Sequence, residues 1–167
     1  MARSNKKFTR NIILFLAGFF VAGAAALFGY LWWVESRISA IRYKEFGIPI
    51  PEGYSIHGID VSHYQNIVNW ELVKEMDIQG INIDFVFIKA TEGNGDADKY
   101  FKRNWRKAKE AGLIRGAYHF FLPTKDGTAQ AKNFITQVKT SSGDLPPVVD
   151  VEQTYGVKKE VLQQRLK

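Results

Sequence analysis

Residues 85–90 have the sequence Phe-Val-Phe-Ile-Lys-Ala, an apolar and partly β-branched run. Such a run is typical of a strand buried on both faces, as in parallel sheets covered by helices. The flanking segments fit this interpretation, because residues 70–76 and 98–111 have helical patterns. Asn69 is a suitable N-cap for the first of these helices, and Gly112 is a suitable stop for the second.

The alternation of strands and helices continues through residues 54–167. Four successive βα units predict an α/β fold with a parallel sheet and right-handed crossovers. The other predicted strands cover residues 54–61, 113–122 and 147–152, and the other predicted helices cover residues 128–140 and the segment from Val157 onward.

Each predicted strand carries polar residues at its carboxyl end. Active sites of parallel α/β folds and barrels assemble at this edge, so the coincidence over four strands predicts a functional site. The residues concerned are Asp60, Lys89 with Glu92, His119, and Asp150 with Glu152.

The last predicted strand ends in two acids that are one residue apart, Asp150 and Glu152. Alternate residues of a strand share a face, which separates these Cα atoms by roughly 6–7 Å. Two acids in one concave site cannot both ionise freely, and a protonated acid beside an ionised one suits glycoside hydrolysis. Tyr118 and Phe120 also share a strand face, where they could stack on sugar rings or simply pack in the core.

The same polar residues have plainer interpretations. Asp150 and Glu152 could mark a strand that runs into a solvated loop. Asp60 could be a capping or turn residue, and Lys89 could form an ion pair with Glu92 across a loop. His119 could be a buried, hydrogen-bonded strand histidine.

The sequence lacks the motifs of several other kinds of functional site. The three histidines do not have the spacing of metal ligands, so no metal or cofactor is predicted. The turn-rich segment 91–96 lacks the Gly-Lys-Ser/Thr ending of a P-loop, and no Gly-x-Ser-x-Gly elbow of a serine hydrolase is present. The chain has no cysteine, which excludes a disulfide framework, a thiolate metal site and a lipid-modified cysteine.

Residues 12–34 form an uncharged apolar run that is long enough to cross a bilayer as a helix. The basic tail, residues 1–11, has no acidic residue, so the positive-inside rule predicts a cytoplasmic N-terminus and an exported remainder. This places the chain in the inner, cytoplasmic membrane as a single-pass protein. A cleaved signal peptide is the alternative, since residues 22–26 offer small-residue cleavage patterns.

Residues 35–53 are interpreted as a linker, in which residues 35–46 could extend the membrane helix by a few turns and two prolines then end it. The formal net charge of +6 is concentrated in the tail, and the rest has 19 basic against 17 acidic residues. Because no basic face with interleaved aromatic residues is present, nucleic-acid binding is not predicted.

Four segments in order resemble the glycoside hydrolase family 25 lysozymes, the Chalaropsis-type N-acetylmuramidases. The segments are GIDVS (58–62) followed by YQ (64–65), FVFIKATEG (85–93), GAYHFF (116–121) and PVVDVE (147–152). The resemblance implies an irregular TIM-like β/α barrel that cleaves the β-1,4 bond between muramic acid and glucosamine in peptidoglycan. It also implies that Glu152 is the general acid, and that Asp150 and Asp60 position the substrate or stabilise positive charge on the sugar.

The family's barrel continues beyond the four βα units found here. We therefore expect residues 54–167 to be an incomplete catalytic domain of a longer protein, and the 167 residues alone to lack normal activity. The sequence as a whole predicts a membrane-anchored peptidoglycan hydrolase. The alternative is a non-catalytic, membrane-anchored protein that binds peptidoglycan or assists cell-wall assembly.

Overall fold

The computed structural model describes residues 2–35 and 40–167. The chain divides into two compact units, one ending at Tyr54 and the other running from Ser55 to Lys167.

The first unit begins with a long helix, α1 (Ala2–Glu35). Its segment Asn11–Trp33 has a mean hydropathy of 2.4 and is long enough to cross a membrane, although a signal sequence has the same properties. Two short antiparallel strands follow, β1 (Ala40–Arg42) and β2 (Pro49–Pro51). The suggested extension of the helix through residue 46 is therefore wrong, because residues 40–42 pair in a two-stranded ladder. Residues 36–39 of that segment lie outside the described residues.

The second unit is an α/β domain whose strands and helices largely alternate. Its elements are β3 (Gly58–Val61), a 3-10 turn (His63–Gln65), α2 (Trp70–Glu75), β4 (Asp77–Ile78), β5 (Ile81–Asn82), β6 (Phe85–Glu92), β7 (Asp96–Ala97), α3 (Phe101–Glu110), β8 (Ile114–Phe120), α4 (Gly127–Gln137), β9 (Val148–Asp150) and α5 (Lys159–Arg165).

The main sheet has the order β3-β6-β8-β9, and all of these neighbours are parallel. This confirms the prediction of a parallel sheet. The short strand β7 adds antiparallel pairing to the end of β6, and β4 and β5 form a separate hairpin. Neither feature was predicted from the sequence.

The predicted helix signals are also confirmed. The Asn69 side chain accepts the backbone N–H of Leu72 at 3.2 Å, as an N-cap should. Gly112 follows α3 with a φ of +78°, a left-handed conformation that costs glycine little.

The outer face of the sheet carries the hydrophobic core. Val86, Ile88 and Ala117 are buried there beneath α3 and α4. Trp70 of α2 is fully buried in the same cluster, and its indole N–H donates to Asn104 Oδ1 at 3.2 Å.

A buried ion pair lies at the amino end of β8. Arg115 Nε donates to Asp144 Oδ1 at 2.8 Å, with the two side chains only 7% and 4% exposed. The guanidinium also lies 3.8 Å above the ring of Trp105. Burial alone would raise the pKa of Asp144, but hydrogen bonds from Arg115 and Ser141 outweigh it and hold the pKa below its ordinary value.

On the inner face of the sheet, large rings lie against glycines of the neighbouring strands. A Cβ atom at Gly116 would stand 2.3 Å from the ring of Phe87, and one at Gly58 would stand 2.2 Å from the ring of Phe85. Because Gly58 and Gly116 have no side chain, the two phenylalanine rings have room on this face. The polar residues of the inner face lie nearer the carboxyl ends of the strands.

Candidate active site

Three of the predicted carboxylates meet around one cavity of about 380 Å³, which we call the acid cavity. Strand β3 contributes Asp60, β8 contributes Tyr118, and the end of β9 with the following segment contributes Asp150 and Glu152. The complete lining is Asp60, Phe87, Tyr118, Val148, Val149, Asp150, Val151 and Glu152.

The register of the sheet explains why these residues converge. Directly paired residues of parallel strands point to the same face, and Asp60 pairs with Phe87 while Tyr118 pairs with Val148. Asp150 lies two residues after Val148 and so returns to that face. The inner face thus presents its polar groups at the carboxyl ends of the strands, as predicted.

Glu152 reaches the cavity differently from the prediction. Strand β9 ends at Asp150, so Glu152 lies two residues beyond the strand rather than in it. Asp60 and Glu152 are exposed, and Asp150 is half-buried. None of the three carboxylates has a hydrogen-bond or ion-pair partner among the described side chains, which leaves their oxygens available to a ligand.

The pKa of Tyr118 reflects the negative charge around the acid cavity. Burial is the main cause that raises the pKa of its phenol well above the ordinary value, and the charges of Asp60 and Asp150 raise it further. Smaller contributions come from Asp98 and Glu152. The phenol therefore remains a neutral hydrogen-bond donor, and it lies in a region of concentrated negative potential.

Phe120 is placed beside the acid cavity but does not line it. Its half-buried ring lies under the ammonium group of Lys89, with Nζ 4.6 Å from the ring centroid. Its predicted stacking on a sugar ring stays a prediction.

Lys89 forms the expected ion pair with Glu92, with Nζ 2.5 Å from Oε2. The expected position across a loop is wrong, since both residues belong to β6. A β-bulge between Lys89 and Thr91 adds one residue to the strand, which turns Glu92 onto the same face as Lys89.

His119 is a buried, hydrogen-bonded strand histidine, as the plainer interpretation predicted. It lies on the outer face, where its Nδ1 is 2.7 Å from Thr91 Oγ1 and its Nε2 is 3.1 Å from Gln130 Oε1. Burial is the main cause that lowers the pKa of His119, so the imidazole is neutral at pH 7. It does not belong to the candidate site.

A second polar cavity, of about 190 Å³, was missed in the sequence analysis. We call it the His63 cavity, and it is lined by His63, Lys89, Glu92, Asp96, Ala97, Asp98 and Lys99. Its central contact joins His63 to Asp98 across 35 positions of sequence, and no short motif could have indicated such a pair. In neither cavity do the described residues form a cluster of three or more metal ligands.

The arrangement defines an α/β protein whose carboxylates gather at the carboxyl ends of parallel strands. Comparison with known proteins agrees with this class. Residues 59–167 match glycosyl hydrolases family 25, and the chain belongs to that family.

Named relatives and solved structures support this membership. The chain is 42% identical over 148 residues to Uncharacterized protein YegX of Escherichia coli strain K12, covering 89% of this chain and 53% of the relative. It is 45% identical over 101 residues to Lysozyme M1 of Streptomyces globisporus, covering 58% of this chain and 33% of the relative. The structure of a family 25 glycosyl hydrolase from Bacillus anthracis superposes with a TM-score of 0.62 at 40% identity, covering 69% of this chain and 53% of that one.

The chain spans about half the length of the Escherichia coli relative and of the Bacillus anthracis structure. The family match, residues 59–167, includes all the residues that line the acid cavity.

Proposed function

We propose that this protein is a peptidoglycan hydrolase that cleaves the β-1,4 bond between N-acetylmuramic acid and N-acetylglucosamine. The observation that carries the proposal is the convergence of Asp60, Asp150 and Glu152 on one cavity of a family 25 domain. The names of two relatives, Lysozyme M1 and N,O-diacetylmuramidase, favour this substrate class.

Glu152 is the proposed general acid, which donates a proton to the leaving glycosidic oxygen. The neighbouring carboxylates of Asp150 and Asp60 are its proposed partners. They stabilise the positive charge that develops on the sugar ring or hold the substrate's acetamido group. The negative potential that acts on Tyr118 supports these roles, because the same field favours a cationic transition state.

Tyr118 is the proposed substrate-binding residue of the cavity floor. Tyr118 lines the cavity with 9% of the residue exposed, and its phenol stays protonated, so it can contact a sugar and donate a hydrogen bond. Phe120 is proposed as a second aromatic contact on the same strand face.

We also propose that residues 12–34 anchor the protein in the cytoplasmic membrane as a single span, with residues 54–167 as the catalytic domain outside the cytoplasm. Residues 1–11 would then be a cytoplasmic tail, and residues 35–53 would be the linker. Protease added to spheroplasts, in which the cytoplasmic membrane is intact and directly accessible, should digest the chain after Arg37. Digestion only after the cytoplasm has been opened would refute this topology, and a soluble form beginning near Ala25 would favour the signal peptide.

The sheet supports a further proposal, that the domain is part of a TIM-like barrel. Strands β3 and β9 have no second neighbour among the described residues, and Val148, Val149 and Val151 remain exposed at one of these edges. Distal strands of a family barrel would pair with these edges and bury the valines.

The chemistry of the products tests the proposed activity. The test uses the 167-residue chain lengthened to a full family 25 domain, which we call the extended protein. It is incubated with purified cell walls, and the new reducing ends of the sugars are then reduced with borohydride. A muramidase produces reduced muramic acid. Reduced glucosamine, or release of fragments without any new reducing end, would contradict the proposed reaction.

The alternative function is a non-catalytic protein that binds peptidoglycan through the same cavity. The exposure of Asp60 and Glu152 favours it, since a general acid works best where water is excluded. Under this alternative, the extended protein binds cell walls and releases no sugar ends, and Glu152→Gln changes neither result.

A further inference from the structure

The His63 cavity contains an imidazole that is held in one orientation by a buried carboxylate. Asp98 Oδ2 accepts the backbone N–H of His63 at 2.7 Å and lies 3.1 Å from its Nδ1. Asp98 Oδ1 accepts the backbone N–H of Tyr100 at 2.9 Å, and the Asp98 side chain is only 1% exposed.

The chemistry of this contact determines which ring nitrogen is available. A carboxylate only accepts hydrogen bonds, so Nδ1 of His63 carries the proton that faces Asp98. Nε2 has no partner among the described residues, while the side chain is 36% exposed. The ring also packs against Tyr64, with 4.2 Å between centroids. His63 thus presents one free nitrogen from a fixed position.

The His63 cavity adjoins the acid cavity. Lys89 of the His63 cavity pairs in register with Tyr118 of the acid cavity, on strands that lie about 4.8 Å apart. Asp60 of the acid cavity precedes His63 by only three residues. The charge of Asp98 also contributes to the raised pKa of Tyr118, which indicates that the two cavities share one electrostatic environment.

The charges of the His63 cavity suit a small group with both donors and acceptors. Glu92 is already paired with Lys89. Asp96 and Lys99 carry opposite charges and form no ion pair with a described residue. About 190 Å³ is small compared with the roughly 300–1,000 Å³ of typical ligand pockets, so the space fits a short side group of a substrate and not a chain of sugars.

We propose that the His63 cavity binds the peptide branch of the peptidoglycan substrate, with Nε2 of His63 accepting a peptide N–H and the ammonium of Lys99 contacting a peptide carboxylate. Asp96 accepts a peptide N–H in this arrangement, and Asp98 is the positioning residue for His63. The inference rests on the proposed function, because it assigns a further part of the same substrate to a neighbouring site.

Binding to two soluble probes tests the proposal. Both are disaccharides of N-acetylglucosamine and N-acetylmuramic acid, and only one carries an alanyl-glutamate dipeptide on its lactyl group. The purified extended protein in detergent micelles should bind the dipeptide probe more tightly than the bare probe. His63→Ala should weaken binding of the dipeptide probe about 5-fold, the scale of one hydrogen bond between neutral groups, and leave binding of the bare probe unchanged. His63→Gln should restore part of the loss.

Further variants separate positioning from general structure. Asp98→Asn should weaken the dipeptide probe selectively, and should move the ¹⁵N resonances of the His63 ring because the ring loses its charged acceptor. His57→Ala and Lys102→Ala are matched controls outside the cavity, and they should bind both probes as the unaltered extended protein does.

The outcomes distinguish the two proposals. Equal binding of both probes by the unaltered extended protein would overturn the peptide site and leave the proposed function standing. An equal loss of both probes in His63→Ala would show a structural role and also overturn it. Failure to bind either probe would count against the peptide site and the proposed function together.

Discussion

The two faces of the parallel sheet differ in how their polar groups are satisfied. On the outer face, His119 is held between Thr91 and Gln130, and Arg115 is paired with Asp144. At the rim of the inner face, the carboxylates that line the acid cavity have no side-chain partner among the described residues. Buried polar groups without partners are costly, so the outer face stabilises the fold, whereas the solvated rim can keep unpaired groups for a ligand.

The largest loss of stability is expected where the outer core is most completely packed. Trp70→Ala should lower the free energy of unfolding by about 4 kcal/mol, because it leaves a large cavity and removes one of the two donors to Asn104 Oδ1. Urea unfolding followed by circular dichroism gives the value. Leu72→Ala on the same helix is the matched control, since Leu72 is 64% exposed, and it should change stability by less than about 0.5 kcal/mol. Equal effects of the two variants would mean that α2 does not pack as described.

A slightly smaller loss is expected at the buried ion pair. Asp144→Asn should cost about 3 kcal/mol, because Arg115 stays buried without its counter-charge. Glu110→Gln, which alters an exposed pair on α3, should leave the unfolding midpoint unchanged.

The pH dependence of stability gives an independent check of this ion pair. The pKa of Asp144 is lower in the folded state than its ordinary value of 3.8, so its contribution is complete above that value. The contribution is lost as the pH falls through the lower, folded-state value. The difference in stability between the unaltered chain and Asp144→Asn should therefore shrink on acidification from pH 6 to pH 3. A difference that is constant over this range would contradict the pairing.

On the inner face, stability depends on the absence of side chains at two glycines. Gly116→Ala should cost about 2 kcal/mol, because the new methyl group meets the ring of Phe87. Gly95→Ala is the control, since no atom lies within 4 Å of its added Cβ, and it should be close to neutral. A neutral Gly116→Ala would show that the ring moves freely and that the inner face is loosely packed.

Substitutions at the rim of the inner face should have the smallest effect on stability. Their effect on turnover should be large. Asp60→Asn and Asp150→Asn should each change the free energy of unfolding by less than about 0.5 kcal/mol, since no folded contact is lost. Both should cut turnover in the extended protein, without removing the basic limb of its pH profile. Glu71→Gln, an exposed change on α2, is the control for both measurements. Strong destabilisation by either rim variant would mean that its carboxylate serves the fold.

The sequence was sufficient for features that depend on local chemistry. The cap at Asn69, the stop at Gly112 and the parallel arrangement of the four main strands all follow from residue types and periodicity. The convergence of polar residues at the strand ends followed from the parallel arrangement. These predictions needed no knowledge of distant contacts.

Other features depended on contacts that no local pattern contains. The bulge after Lys89 redirects Glu92, and Asp98 reaches His63 from 35 positions away. The pairing of residues 40–42 with residues 49–51 likewise displaced the predicted helical extension. In each case, tertiary contacts or strand pairing selected one conformation among several that the sequence alone permits.

Glu152 is proposed to supply a proton to the glycosidic bond. The direct test is the rate of cell-wall hydrolysis by the extended protein carrying Glu152→Gln, measured beside its binding to the same walls. The amide keeps the shape of the side chain and cannot donate the acidic proton, so turnover should fall by roughly 10²–10⁴-fold while binding stays near normal. Hydrolysis at close to the original rate, with binding unchanged, would contradict the assignment.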